Sequence, residues 1–269
     1  MTGIWGVLNT TPDSFSDGGR YIDPEAAIQR ARLMHSQGAV IIDVGGESTR
    51  PGALRVDPAI ERARVLPVIE ALTDAGIPTS IDTLNADTAV AAVRAGTRIV
   101  NDVSGGLADE RMLSAVAELG ADIAIGHWRG PSEDMYAHAQ YTRVAREVAG
   151  ELRERVEAAK AAGIAPARII VDPGIGFAKT AEQNWEVLRG LDEISALGHR
   201  VLVGTSRKRL LADALHKASG PDPLSERRRD LATAVTSALA ARAGIWAVRV
   251  HDVAATRDAL AVVGAWDGV

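Results

Sequence analysis

The chain has 269 residues, a length that one domain accounts for. Its formal net charge of −5 at pH 7 argues against nucleic acid or an anionic membrane surface as a bulk partner. Cysteine is absent, which excludes disulfides, thiolate metal sites and thiol catalysis. No apolar run is long enough for a membrane span, and the first strand-like run begins at residue 3. We therefore expect a protein without a leader peptide, located in the cytoplasm.

Short apolar runs recur along the chain, and each ends in polar residues before a helix-like segment. Most runs are apolar on both faces, which is typical of parallel strands buried from either side. Eight such strands alternating with helices predict a single-domain (β/α)8 barrel over residues 1–269. In chain order the runs are 3–9, 39–46, 78–82, 98–105, 122–128, 168–176, 200–206 and 246–252.

The helix boundaries have signals of their own. Asp23-Pro24 and Asp57-Pro58 each place a capping carboxylate before a proline in the first turn. Pro67 lies inside the second helical segment, where it should kink or split the helix. Glycines mark the expected ends of the first, third, fourth and fifth helices, at Gly38, Gly96, Gly120 and Gly163.

Polar side chains at three strand ends suit a flat heterocycle. Asp82, Asn101 and Asp172 end the third, fourth and sixth strands, and a barrel brings the carboxyl ends of its strands to one mouth. A ring with several N–H groups would satisfy these acceptors, because a carboxylate accepts two parallel N–H bonds. Asp43, on a near-continuous apolar strand, suits a structural hydrogen bond. His127 is as compatible with a structural role as with a catalytic one.

Two further strand ends predict an anion site. Arg249 and His251 alternate along the eighth strand, so both point to one face at the mouth. Ser206 and Lys208 stand where the seventh strand gives way to a helix, whose first amide groups also attract anions. Three connections at the same mouth, 10–21, 46–57 and 129–140, are long and rich in Gly, Pro, Ser, Thr and Asp. We expect them to close over a bound substrate.

Taken together, seven strand-end segments resemble the dihydropteroate synthase family, and the chain looks most like its actinobacterial members. The segments run in order over residues 3–253: LNTTPDSFSDGG, DVGGESTRPGA, SIDT, NDVSGG, DPGIGFAKT, GTSRK and RVHDV. The resemblance implies a transferase of folate biosynthesis. Its members condense 6-hydroxymethyl-7,8-dihydropterin diphosphate with p-aminobenzoate, giving dihydropteroate and diphosphate, and are sulfonamide targets and usually homodimers.

The resemblance also implies a role for each matching residue. The pterin would contact Asp82, Asn101, Asp172 and Lys208. The diphosphate would contact Asn9, Arg249 and His251, with Mg²⁺ bound through the carbonyl oxygen of Asn9. The p-aminobenzoate slot would be formed by Thr49, Arg50, Pro51, Phe177 and Ser206, beside Lys208. The residues expected to act in the chemistry are Asp82, Lys208, Arg249 and His251.

Two positions depart from the family pattern, and other functions remain open. Gly126 stands before His127 where the family usually has methionine, so we expect a wider pterin pocket; Thr10 replaces a usual valine. One alternative is a pterin-binding homologue without turnover. Another is a pterin-dependent methyltransferase, which would not need Arg249 and His251 spaced for diphosphate. A Schiff-base aldolase would want a desolvated lysine, whereas Lys208 follows a charged residue.

Overall fold

The computed structural model describes residues 2–11, 23–48, 55–130, 139–220 and 222–268, and its strands close into a barrel. All neighbouring strands are parallel, and their order around the barrel follows the chain. The predicted fold class, a single-domain (β/α)8 barrel, is confirmed. The strands are β1 Gly3–Asn9, β2 Ile41–Gly45, β3 Thr79–Asp82, β4 Ile99–Asp102, β5 Asp122–Gly126, β6 Ile169–Asp172, β7 Arg200–Val203 and β8 Ala247–Val250.

Helices cover the outside of the barrel. Within the described residues they are α1 Pro24–Ser36, α2 Pro58–Asp74, α3 Ala86–Arg94, α4 Met112–Leu119, α5 Val144–Ala161, α6 Ala181–Arg189, α7 Leu191–Ser195, α8 Arg209–Ser219, α9 Glu226–Arg242 and α10 Val253–Asp267. The side chains of Asp23 and Asp57 cap α1 and α2, as predicted. Pro67 does not split α2, which runs through it as one helix. No helix in these ranges is long and apolar enough to cross a membrane.

The glycines predicted to end helices all have positive φ angles. Gly120 is the residue that ends α4, with a φ of 65° that an L side chain rarely adopts. The corresponding residues after α1, α3 and α5 lie two positions beyond the helix and have φ angles between 101° and 113°: Gly38, Gly96 and Gly163.

The strand register places the polar ends next to each other above an apolar interior. Asn9 pairs with Gly45, and Asp82 pairs with both Gly45 and Asn101. Side chains two positions apart on a strand share a face. The barrel interior therefore holds the residues below the polar ends, a buried cluster of Trp5, Ile99, Ala124, Ile170, Leu202 and Ala247. A second, larger apolar cluster packs the helices against the outside of the sheet.

Candidate active site

A cavity of about 920 Å³ opens at the carboxyl ends of the strands and collects most of the predicted site residues. Its lining includes Asn9, Asp82, Phe177, Ser206, Lys208, Arg249 and His251. Asn101 pairs with Asp82 in the sheet and Asp172 interacts with the charge on Lys208, so both lie next to this lining. Thr49, Arg50 and Pro51 lie outside the described residues, as do most residues of the three long connections, so their roles stay predictions.

Arg249 bridges two carboxylates at the floor of the cavity. Its Nε donates to Asp43 Oδ2 and its Nη2 donates to Asp82 Oδ2. Asp43 is fully buried and also accepts from Ser80 Oγ at 2.5 Å and from Asn101 Nδ2 at 3.0 Å. The structural role predicted for Asp43 is confirmed, because it orients both Arg249 and the amide of Asn101.

One carboxylate oxygen of Asp82 is left without a hydrogen-bond partner among the described residues. This oxygen, Oδ1, is buried. Burial raises the pKa of Asp82 to about 7, against the opposing effect of the positive charge on Arg249. The pKa of Arg249 is raised despite its burial, because Asp43 and Asp82 stabilise its charge. An unpaired buried acceptor is costly unless a donor satisfies it, so Asp82 Oδ1 is a candidate acceptor for a ligand N–H group.

Lys208 and Asp172 meet at the loop that follows β6. Lys208 Nζ donates to Ile175 O and lies 4.9 Å from the ring centre of Phe177. Burial lowers the pKa of Lys208 to about 8, with Asp172 opposing, so this lysine is more desolvated than its charged sequence neighbours indicate. Asp172 Oδ1 accepts from Gly174 N at 2.7 Å, and burial raises its pKa while Lys208 lowers it.

Ser206 and His251 form a hydrogen-bonded pair at the other side of the cavity. Ser206 Oγ lies 2.8 Å from His251 Nδ1 and accepts from the His251 backbone N–H at 3.1 Å. The two residues follow β7 and β8, neighbouring strands of the barrel. A side chain predicted to contact p-aminobenzoate is thus hydrogen-bonded to one predicted to contact diphosphate, so the two predicted anion positions are adjacent.

Sequence reasoning missed a buried lysine of the cavity wall. Lys179 lines the cavity but is only 1% exposed, and its Nζ lies 2.9 Å from His127 Nδ1. Burial lowers the pKa of Lys179 to about 7, with Asp172 opposing. Lys179 lies within the segment DPGIGFAKT, which is the only signal that pointed to it. His127 is buried and bonded through both ring nitrogens, which is the structural alternative predicted for it.

The expectation of a wider pocket at Gly126 is wrong. A Cβ atom at Gly126 would lie 2.4 Å from Val103 O and 2.6 Å from Val103 Cα. The backbone after β4 therefore occupies the space that a larger side chain would need, and Gly126 does not line the cavity. Thr10, the other departure, is buried and donates through Oγ1 to Gly45 O at 3.0 Å.

Metal ligands of the usual multi-carboxylate kind are absent from the described ranges. No group of three or more His, Asp or Glu residues there could hold a metal ion. Asn9 ends β1 on the cavity wall, and its Oδ1 lies 3.8 Å from the position that a Cβ of Gly45 would take. A neutral oxygen in this place suits a cation that takes its other ligands from a bound anion and water.

Comparison with known proteins agrees with the site. The family described as pterin binding enzyme matches residues 5–251. The dihydropteroate synthase of Mycobacterium leprae is 52% identical over 268 residues, covering 98% of this chain and 93% of that protein. The dihydropteroate synthase of Yersinia pestis with a sulfonamide drug has a TM-score of 0.92 at 34% identity, covering 100% of this chain and 95% of that one. The Thermus thermophilus enzyme with 6HMPPP has a TM-score of 0.81 at 37% identity, covering 100% and 94%. The chain therefore belongs to the dihydropteroate synthase family of pterin binding enzymes.

Proposed function

We propose that this protein condenses 6-hydroxymethyl-7,8-dihydropterin diphosphate with p-aminobenzoate. The C–O bond at the pterin methylene breaks, diphosphate leaves with the electron pair, and a C–N bond forms to the aryl amine, which then loses a proton. The observation that carries the proposal is the buried Oδ1 of Asp82, without a partner among the described residues, in a cavity that also contains an arginine, a lysine and a histidine. The product 7,8-dihydropteroate places the protein in folate biosynthesis.

The pterin binds at the floor of the cavity in this proposal. Asp82 accepts from ring N–H groups through its available oxygen. Asp172 accepts from the aminopyrimidinone edge. Lys208 donates to an acceptor atom of the ring, and Asn101 donates to or accepts from the ring atoms beside it. The hydrogen bonds from Asn101 to Asp43 and from Gly174 to Asp172 hold these side chains in place before the ligand arrives.

The diphosphate lies above the pterin, against Arg249 and His251, with Mg²⁺ bound through Asn9. Asn9 would hold Mg²⁺ through its side-chain oxygen, and the ion would supply positive charge that offsets the charge of the leaving diphosphate. Arg249 stabilises the diphosphate where its charge grows, which lowers the barrier more than equal ground-state binding would. Asp82 stabilises the positive charge that spreads over the pterin ring, so the substitution is dissociative.

The p-aminobenzoate slot lies between Phe177 and Ser206. The carboxylate of bound p-aminobenzoate faces Ser206 and the first backbone amide groups of α8, which begins at Arg209. The predicted contributions of Thr49, Arg50 and Pro51 complete the slot from the second long connection. A sulfonamide, which resembles p-aminobenzoate in shape and charge, should compete for the same position.

One experiment separates this function from the alternatives. The purified protein is incubated with both substrates and Mg²⁺, and dihydropteroate and diphosphate are measured. Formation of both in equal amounts supports the proposal. Tight pterin binding without either product identifies a silent homologue and rejects it. Trapping of a lysine adduct by borohydride with a carbonyl substrate would instead indicate an aldolase.

We infer that the protein is a homodimer joined through α9 and α10. Exposed apolar side chains lie at four-residue spacing on α9, at Leu231, Val235 and Leu239, so they form one stripe. Val262 and Trp266 of α10 are 67% and 79% exposed. Adjacent exposed apolar stripes of this kind mark protein–protein surfaces. The exposed apolar side chains of the two stripes are not among the residues that line the cavity, to which α9 contributes Glu226 and Arg229.

A further inference from the structure

A buried lysine in the cavity wall has no part in the chemistry proposed above. Lys179 Nζ donates to Gly174 O and to Phe177 O, at 3.0 Å in each case. It also lies 2.9 Å from His127 Nδ1, to which the charged amine donates. In its charged form the lysine has three donors and no acceptor, so these partners satisfy all of its hydrogen bonds. Two of the three acceptors belong to the loop after β6, which the ammonium group therefore ties together.

The third acceptor is itself fixed from outside the loop. While Lys179 is charged it offers only hydrogens, so Nδ1 of His127 accepts and Nε2 carries the hydrogen that faces Glu151 Oε2 at 2.9 Å. Burial, reinforced by the charge on Lys179, lowers the pKa of His127 to about 4, which leaves the ring neutral. Arg129 Nε donates to Glu151 Oε1 at 3.1 Å and holds it in turn. The position of Lys179 thus depends on the end of β5 and on α5.

A second lysine holds the same loop from the cavity side. Lys208 Nζ donates to Ile175 O and lies 4.9 Å from the ring centre of Phe177. The loop also carries a non-glycine residue with positive φ, Ala178 at 48°. Such a backbone persists only where surrounding contacts hold it. Residues 173–178 therefore lie between two lysines, and one of these, Lys179, makes no contact assigned to a substrate.

The geometry points to Lys179 as a positioning residue for the p-aminobenzoate side of the active site. Its ammonium group fixes the carbonyl groups of Gly174 and Phe177, and so fixes where the Phe177 ring stands relative to Lys208. This role rests on the proposed function, because Phe177 is assigned to the p-aminobenzoate slot on that basis. Lys179 acts through the loop, since all three of its donors are used within the protein.

Steady-state kinetics of Lys179→Met test the role. Methionine has a similar length and no donors, so the loop loses its internal cation. We expect the KM for p-aminobenzoate to rise about tenfold, as for loss of a charged hydrogen bond, while kcat changes less than about twofold. Lys160→Met, at the exposed end of α5, is the matched control and should leave both constants unchanged. A fall in kcat with an unchanged KM would overturn the proposal.

A double-mutant cycle shows whether Lys179 acts through Phe177. If it does, Phe177→Ala and Lys179→Met each raise the KM for p-aminobenzoate, and the double variant is little worse than either single variant. If the two effects multiply as independent changes do, the proposed route through Phe177 is wrong. The same cycle with Lys160→Met should give independent effects.

Two further measurements cover misfolding and a failure of the proposed function. Should Lys179→Met not fold, Lys179→Gln retains two donors without the charge and should give a smaller rise in the same KM; an unchanged KM would contradict the proposal.

Crystal structures of the wild type and the folded variant require no turnover. We expect the Gly174 and Phe177 carbonyl groups to separate and the Phe177 ring to move. If the loop does not move in the variant, the role of Lys179 is overturned even when the enzyme is active. If the wild type is inactive but the loop is displaced in the variant, only the proposed reaction is rejected.

Discussion

Individual carboxylates of the active site divide between ligand recognition and internal support. Both oxygens of Asp43 accept hydrogen bonds, from Ser80, Asn101 and Arg249, whereas one oxygen of Asp82 has no partner among the described residues. Sequence alone places both residues at strand positions in the barrel. The division between them depends on which neighbours reach each oxygen.

Asp172 is the residue whose conservative replacement most directly tests pterin recognition. In Asp172→Asn, the amide oxygen can still accept from Gly174 N, which turns the NH2 group toward the ligand. The NH2 group at position 172 then faces the N–H groups of the pterin, donor against donor, and the free energy of pterin binding should weaken by about 2–3 kcal/mol. Calorimetric titration with a pterin measures the loss, and a thermal melt checks the fold. Unchanged affinity in a folded variant would show that Asp172 does not contact the pterin.

Arg249 should behave differently from its neighbour His251 when truncated. Arg249→Ala leaves Asp43 and Asp82 without their shared cation, a change that costs about 3–5 kcal/mol at buried pairs. We expect it to lower stability and to weaken binding of a pterin with or without diphosphate. His251→Ala should weaken only the diphosphate-bearing ligand. Titrations with both ligands decide this, and full plain-pterin affinity in Arg249→Ala would contradict the bridging role.

At the scale of elements, the end of β5 is set by close backbone packing. Gly126→Ala places a Cβ atom 2.4 Å from Val103 O, so the backbone after β4 must move. We expect a loss of about 1–3 kcal/mol in the free energy of unfolding. Gly150→Ala, in α5 with open space around it, should instead gain about 0.5–1 kcal/mol. Urea denaturation compares the two, and equal stability of both variants would show that β4 and β5 do not pack as described.

The contact between β5 and α5 should make stability depend on pH. The pKa of His127 in the folded protein, about 4, lies below its ordinary value of 6.5. Between these two pH values His127 is protonated in the unfolded chain but neutral in the folded one. It therefore lowers the stability of the fold as pH falls from 6.5 toward 4. Burial raises the pKa of Glu151, but hydrogen bonds from His127 and Arg129 outweigh this effect and lower the pKa to about 2. Glu151 therefore adds a loss of stability only below about pH 4.5.

His127→Asn isolates the histidine contribution. Asp82, with its raised pKa, opposes the loss over the same range but does so in both proteins. The difference in melting temperature between variant and wild type should therefore change between about pH 6.5 and 4.5, in favour of the variant at the acid end. A constant difference across this range would mean that His127 is not held neutral in the fold.

For the whole molecule, the exposed stripes of α9 and α10 predict the oligomeric state. Leu239→Glu puts a charge into the proposed interface, where it would lose its hydration, and should give a monomer by sedimentation equilibrium. Leu107→Glu, at an apolar side chain that is 50% exposed away from these helices, should leave the dimer intact. A wild-type protein that sediments as a monomer would reject the dimer.

The sequence by itself was sufficient for the barrel and for most of its mouth. Buried-strand patterns, capping residues and helix-ending glycines are local signals, and parallel strand ends must meet at one edge. Asn9, Asp82, Lys208, Arg249 and His251 could therefore be placed together from these signals alone. The continuity of α2 through Pro67 could not, because packing along the helix decides whether a proline splits it.

Only the tertiary structure decided what each polar group at the mouth faces. Burial of Lys179, neutrality of His127, the bridging position of Arg249 and the lack of space at Gly126 all depend on residues far apart in the chain. A hydrogen bond is satisfied by whichever acceptor lies within about 3 Å, and side-chain pKa values follow the resulting burial and charge. Local sequence patterns contain no distances of that kind, so they located the active site but not the network that supports it.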